Sequence, residues 1–344
     1  MSNIRKVYLV DLEKVPSRYT WEWHSHFPQV LKDNGFDVEV IGDPNYQVPA
    51  SSGGFLNFVE TNKYKADQVS RITELFSKQL IEDDSIFLFA DAWHPGVINT
   101  KYMIDLTGVD SKIAVLWHAG SYIEEDILGQ KIRNKGWSYS FERSVYHSSD
   151  FNFFATKWHL EHFESVLGCS GSSYLTGWPM EYVRHLKFPD VPKRDVVVFP
   201  HRISPEKQVH IFDELATRMP EYEFVVCQRH DMTKEQYHRT LSEAKVMFSA
   251  ATLETLGICQ NEALAAKCLP MVPNRLSYTE MYKGDSFLYP SEWTLGDVDY
   301  ESLTARIKYL IENYELLIKV AYDEYEYQTK TYFECQGLLD VLAQ

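Results

Sequence analysis

The chain of 344 residues is 44% apolar and carries 34 Lys and Arg against 49 Asp and Glu, a formal charge of −15. That length is more than one hydrophobic core supports, which implies two domains, and the acidic balance disfavours non-specific adhesion to nucleic acid or anionic lipid. Cys169, Cys227, Cys259, Cys268 and Cys335 are odd in number and lack C-x-x-C spacing, which argues against a disulfide framework or a zinc site, and no apolar run approaches the ~18 residues of a membrane helix.

The start, Met-Ser-Asn-Ile-Arg-Lys, has no signal-peptide core, so a cytoplasmic protein is expected. Short β-branched or aromatic runs then alternate with longer helical stretches, the signature of βα units and a mostly parallel sheet. The pattern predicts a strand over Lys6 to Leu12, a helix over Thr20 to Asn34 closed by Gly35, and a strand over Asp37 to Ile41. Further strands are expected at Ser85 to Ala90, Lys112 to Trp117, Phe151 to Ala155 and Ser173 to Thr176. Prolines and charges from Pro189 to Arg194 read as a linker. A second series follows, with strands at Val196 to Phe199, Glu223 to Cys227, Lys245 to Ser249, Cys268 to Val272 and Ser286 to Tyr289. The tail from Asp299 to Gln344 reads as helical, with Tyr300, Tyr309, Tyr314, Tyr322, Tyr325, Tyr327, Tyr332 and Phe333 as packing aromatics. An Asp-x-Asp at Asp297 and Asp299 can hold a metal elsewhere, but its place before a helix start predicts a cap.

The most informative residues are Glu254-Thr255-Leu256-Gly257-Ile258-Cys259-Gln260-Asn261-Glu262 and, upstream, His201-Arg202-Ile203-Ser204-Pro205-Glu206-Lys207. The strand-like Val246 to Ala250 and the helical Ile258 to Lys267 put Glu254 in a strand-to-helix loop and Glu262 on the helix. Both carboxylates can then face one ligand. N–H groups at such a helix start favour an anion, and Arg202 with Lys207 adds two cations. Together these suggest a nucleotide-sugar site, although either glutamate alone would read as a solvated face or cap, and the cations alone as a surface pair.

These residues resemble the C-terminal domain of retaining GT-B glycosyltransferases, the glycogen-synthase-like group (glycosyl transferases group 1), whose pattern is Arg-x4-Lys on one loop and Glu-x7-Glu on another. Gly257 and Ala263 stand in register, Ala265 to Pro273 is similar to the family's helix end and Pro-Val strand, and Ser277-Tyr278-Thr279-Glu280 resembles its next loop. Gln208 departs from the family, which usually has Gly after the Lys, and the stretch from Cys227 to Lys245 holds one helix where the family has an additional strand. The resemblance implies an α/β GT-B fold: two Rossmann-like domains facing a central cleft, with a C-terminal helix crossing back. It sets an N-terminal acceptor domain at 1–188, a nucleotide-sugar domain at 194–320, and a C-terminal helix at 321–344 packing on the N-terminal domain. By the same resemblance Arg202 and Lys207 meet the diphosphate, Glu254 the donor sugar and Glu262 the ribose hydroxyls, with Thr255, Leu256 and Gly257 as donor-binding backbone. No metal or other cofactor is implied, and a UDP-sugar is the favoured co-substrate.

In the N-terminal half, His118 ends a strand and resembles the family His near the donor sugar, while Asp91 and His94 are candidates for the acceptor side. Gly53-Gly54 resembles the family's Gly-rich loop only loosely, and Gly177-Trp178-Pro179-Met180 its interdomain turn. The segments Leu116 to Tyr122, Thr176 to Tyr182 and Phe199 to Gln208 are also similar to glycosyltransferases encoded by tailed bacteriophages. That implies action in the host cytoplasm and an acceptor such as a 5-hydroxymethylated pyrimidine in phage DNA. Lys131, Arg133, Lys135 and Arg143, interleaved with Trp137, Tyr139 and Phe141, would then meet DNA phosphates and stack on a base; a solvated amphipathic helix gives the same pattern. The alternatives are transfer to a glycan or small molecule, a GT-B sugar-nucleotide epimerase or phosphorylase, and a binding protein without turnover.

Overall fold

The computed structural model describes residues 5–16, 18–46 and 57–344; Gly53-Gly54 lies outside the described residues. The chain builds two sheets in succession, every strand parallel to its neighbours. The first takes β1 (Lys6–Val10), β2 (Asp37–Ile41), β3 (Ser85–Phe89), β4 (Ser111–Trp117), β5 (Phe151–Phe154) and β6 (Ser173–Leu175), in the order β2-β1-β3-β4-β5-β6. Between them run α1 (Thr20–Asp33), α2 (Phe58–Ser77), α3 (Gly96–Thr107), α4 (Ile127–Lys131), α5 (Lys135–Ser148) and α6 (Lys157–Leu167). The second takes β7 (Arg194–Phe199), β8 (Glu223–Val226), β9 (Ala244–Phe248), β10 (Leu269–Pro273) and β11 (Leu288–Tyr289), in the order β11-β10-β9-β7-β8. Its helices are α7 (Val209–Arg218), α8 (Lys234–Glu243), α9 (Ile258–Ala265), α10 (Tyr278–Met281), α11 (Tyr300–Glu312) and α12 (Tyr314–Tyr332); α13 (Gln336–Leu342) ends the chain.

The strands form where the sequence carries apolar runs, because a parallel sheet covered by helices on both faces has no solvated side. Ile86 to Phe89, Ile113 to Trp117 and Val196 to Phe199 are buried at every position. Every strand expected from the sequence is present. The largest shifts, two residues each, are at the first, which ends at Val10, at β7, which begins at Arg194, and at the last, which begins at Leu288. Gly35, at φ +87°, closes α1 in the left-handed conformation, with Phe36 N donating to Leu31 O at 3.1 Å. Asp299 caps α11, its carboxylate accepting from Ser302 N at 3.0 Å.

The chain divides into two compact units, 1–180 with 334–344, and 181–333. The Pro-rich stretch set apart as a linker belongs to the second unit, because specific bonds fix it there. Lys193 Nζ donates to the carbonyls of Leu241, Ala244 and Ala266 at 3.2, 2.8 and 2.8 Å, and Arg184 pairs with Glu326 at 3.1 Å. Helix α12 stays in the second unit through Asn261 to Thr329 Oγ1 (3.2 Å) and Tyr332 to Glu280 O (2.7 Å). Of the C-terminal helices only α13 joins the first unit, where Arg5 donates to Leu342 O at 2.7 Å. Among the described residues, no helix is long and apolar enough to cross a membrane.

Each sheet reverses its strand order once, at β1 between β2 and β3, and at β7 between β8 and β9. In open α/β sheets ligands bind beyond the carboxyl ends of the strands at such a switch point. Arg202, Lys207 and Glu254 follow the carboxyl ends of β7 and β9, and Asp91, His94 and His118 those of β3 and β4.

Candidate functional site

In the second unit, the loops leaving β7 and β9 meet. Lys207, in the turn after β7, donates from Nζ to Leu253 O at 2.6 Å and to Glu254 Oε2 at 3.0 Å. Its side chain is 7% exposed and that of Glu254 16%, so the pair faces little bulk water and its attraction is weakly screened. Thr252 N donates to Glu206 O at 2.8 Å, locking the two loops together. Arg202 directs its fork at Glu206 Oε1, at 3.0 Å from Nε and 2.6 Å from Nη2, and Ser204 Oγ reaches the same oxygen at 2.6 Å. Burial pushes the Glu206 carboxyl up, but the Ser204 hydroxyl and the Arg202 guanidinium outweigh it and hold the group below its ordinary range. Glu206 is a site residue that the sequence reading omits; its four-residue spacing from Arg202 is the signal for it.

Beyond β9, Glu254 to Gly257 lead into α9 as expected. A Cβ on Gly257 would lie 2.5 Å from Gln260 Nε2, and Gln260 is itself held by Tyr282 OH at 2.7 Å, so this turn admits only glycine without rearrangement. Leu256 is buried, and Ser277 Oγ donates to Glu254 O at 3.1 Å. Half-buried Arg275 clamps the loop by donating to Ala251 O at 2.7 Å and Ala250 O at 2.8 Å. Glu262, on α9, accepts from Tyr237 OH at 2.8 Å. Cys259 lies among these groups: burial, then Glu262 and Glu254, push its thiol up against the opposing charge of Lys207. Lys207, Glu254, Glu262 and Tyr237 therefore converge around one position, with Thr255 at the bend. His201, enclosed beside Phe199, has its imidazole pushed well down by burial and by Lys207 and Arg202, so it is neutral.

In the first unit, His118 leaves β4 with both ring nitrogens engaged. Nε2 donates to Ala90 O at 2.8 Å and Nδ1 lies 3.3 Å from Tyr19 OH, while the ring stacks on Trp178. Asp91 pairs with buried Lys65 at 2.6 Å and accepts from Trp93 N; burial pushes its carboxyl up, but Lys65 and His118 bring it below the ordinary range. His94 is enclosed, accepting from Gly96 N at 2.9 Å and meeting Gln68 Oε1 at 3.0 Å, and burial pushes it down to about 3. At the β1 switch point, α2 turns Thr61, Tyr64, Lys65 and Gln68 inward onto Glu13, Asp11 and Asp91. Lys131 and Arg133 are exposed. Lys135 Nζ instead donates to Ser121 O and Gly129 O at 2.8 and 2.6 Å, and Arg143 Nε to Leu167 O at 2.7 Å.

No protein-family model matches the sequence, and no curated protein matches it. Solved structures do match in three dimensions. Sucrose-phosphate synthase from Thermosynechococcus elongatus has a TM-score of 0.67 at 11% identity, over 95% of this chain and 95% of that one. HepE from Anabaena, in complex with UDP, has a TM-score of 0.59 at 10% identity over 99% and 100%. A glycosyltransferase from Rickettsia africae has a TM-score of 0.61 at 11% identity over 99% and 98%. The fold of this chain is that of the GT-B glycosyltransferases, as its C-terminal motifs imply.

Proposed function

We propose that this protein is a retaining glycosyltransferase that moves a sugar from a nucleoside diphosphate, with UDP as the favoured carrier, to a hydroxyl acceptor. The observation that carries the reading is the meeting of Lys207 with Glu254 beyond β7 and β9, with Arg202 fixed by Glu206 on the same loop. Sugar transfer makes the anomeric carbon oxocarbenium-like while negative charge grows on the leaving diphosphate, so stabilising that charge is the main catalytic task. Arg202 offers a planar fork for phosphate oxygens and Lys207 a compact charge. Glu254 accepts hydroxyls of the donor sugar, and Glu262 those of the ribose. UDP is favoured because HepE, which shares the fold, was solved with UDP and with UDP and glucose. The incoming hydroxyl attacks on the face from which the diphosphate leaves. Asp91, Lys131 and Arg133 are the acceptor-side groups.

The test is a thermal-shift screen of UDP-, GDP- and ADP-sugars, followed by NMR of the product formed with the donor that binds. Stabilisation by one donor and an anomeric configuration matching it are expected; an inverted product would overturn retention. Two cations already face the diphosphate, so turnover should persist in EDTA. Loss on chelation, restored by Mn²⁺ or Mg²⁺, would count against this chemistry.

A further inference from the structure

Glu262 does not stand alone on α9. Tyr237, from α8, donates its phenolic hydroxyl to Glu262 Oε2 at 2.8 Å. Burial, followed by the charge of Glu262, pushes the phenol well above its ordinary value, so the proton stays on Tyr237. The helix that carries it is fixed one turn earlier by a reciprocal cap: Gln236 N donates to Thr233 Oγ1 at 3.2 Å, and Thr233 N to Gln236 Oε1 at 2.9 Å. The hydroxyl is thus held on a rigid element and aimed at one oxygen of the carboxylate.

We propose that Tyr237 is the positioning residue that locks Glu262 in the rotamer that reads both ribose hydroxyls, and so sets the preference for ribonucleotide over 2′-deoxyribonucleotide donors. This rests on the reading of Glu262 as the ribose contact. A carboxylate offers about four lone-pair sites. One of these takes the Tyr237 hydroxyl, and on the reading of Glu262 as the ribose contact two others take the 2′ and 3′ hydroxyls. An unanchored Glu side chain would lose rotamer freedom when the nucleotide binds, and Tyr237 removes that loss in advance. A 2′-deoxy donor leaves an acceptor unmatched in a partly dry site, the kind of mismatch that discriminates strongly between substrates.

The experiment measures, by calorimetry, the affinities of UDP and 2′-deoxy-UDP for wild type, Tyr237→Phe and Glu262→Gln. Wild type should prefer UDP, and Glu262→Gln should lose both affinity and preference. Tyr237→Phe should weaken UDP about tenfold, the effect of one hydrogen bond to a charged group, and weaken 2′-deoxy-UDP, which keeps only the 3′ contact, by less, so that the preference narrows. A merely structural role would weaken both nucleotides alike, and that result overturns the inference. Wild-type behaviour of Tyr237→Phe beside a defective Glu262→Gln also overturns it, while the ribose reading survives. If Glu262→Gln binds as wild type does, or wild type binds neither nucleotide, the underlying reading falls and the inference with it.

Discussion

Gln208 adopts φ 52° and ψ 46°, the left-handed region that favours glycine, directly after Lys207. That conformation turns the chain from the Lys207 turn into α7, which is the physical reason glycine suits this position. Here a glutamine holds it, and the side chain compensates by donating from Nε2 to Ala250 O at 2.7 Å and Thr294 O at 3.3 Å. Gln208→Ala keeps the strained backbone and loses those bonds, so it should be less stable by about 1 kcal/mol. Gln208→Gly loses the same bonds but relieves a left-handed cost of about 1 kcal/mol, and should recover most of the difference. Urea denaturation decides this; equal stabilities for the two variants would show that position 208 stores no strain. Arg202 carries the second prediction at this scale. Diphosphate charge grows during transfer, so Arg202→Ala should lower kcat about 10²–10³-fold with little change in donor KM. Glu206→Gln, which keeps the shape but weakens the anchor of the guanidinium, should lower kcat by less. Wild-type turnover of Arg202→Ala at saturating donor would remove it from the phosphate site.

Elements differ in how plainly the sequence announces them. The strands are legible because buried parallel strands make unbroken apolar runs, and the β9–α9 loop is legible because Gly257 and the flanking glutamates have fixed spacing. Helix α2 is not legible in the same way, since its inward face is polar: Thr61, Tyr64, Lys65 and Gln68 find their partners only in the folded unit. Tyr237 and Arg275 leave no local signal either, because their partners stand far away in the sequence. Helix α5 looks basic and aromatic, yet Lys135 serves the loop after β4, and Glu142 on the same helix matters more. Wholly buried, Glu142 accepts from Ser121 N at 2.6 Å, Ser121 Oγ at 2.9 Å and Trp93 Nε1 at 2.9 Å, tying α5 to the loops after β4 and β3. Burial pushes its carboxyl from 4.5 up to about 7, against the opposing effects of Ser121, Trp93 and Lys135. A group with a raised folded pKa contributes stability that is complete below its unfolded value and lost as pH rises through the folded one. Glu142→Gln, neutral throughout, removes that dependence while keeping an acceptor for Ser121 and Trp93. Between about pH 4.5 and pH 7 the melting temperature of wild type should therefore fall relative to the variant. Parallel melting profiles in differential scanning fluorimetry would show that Glu142 does not titrate in this window.

At the scale of the whole molecule, charge bears on the acceptor. With 49 acidic residues against 34 Lys and Arg, the field of the chain repels a polyanion, whereas a neutral glycan or small hydroxyl compound meets no such barrier. A hydroxymethylated DNA acceptor therefore needs local cations. Of the four in the 131–143 segment, Lys135 and Arg143 are engaged with backbone carbonyls, which leaves exposed Lys131 and Arg133 for phosphates. Two phosphate contacts give a plot of log K against log salt with a slope of about −2. Reversing Lys131 and Arg133 to Glu, with Lys135 retained because its loss would free the Ser121 loop, separates the acceptor classes. If DNA is the acceptor and this segment holds it, DNA affinity should show that slope in wild type and lose it in the double variant, with donor affinity unchanged. If the acceptor is neutral, turnover should be indifferent both to salt between about 50 and 200 mM and to the double reversal. A salt slope that survives the reversal intact would remove Lys131 and Arg133 from the acceptor site and place the phosphate contacts on other cations of the chain.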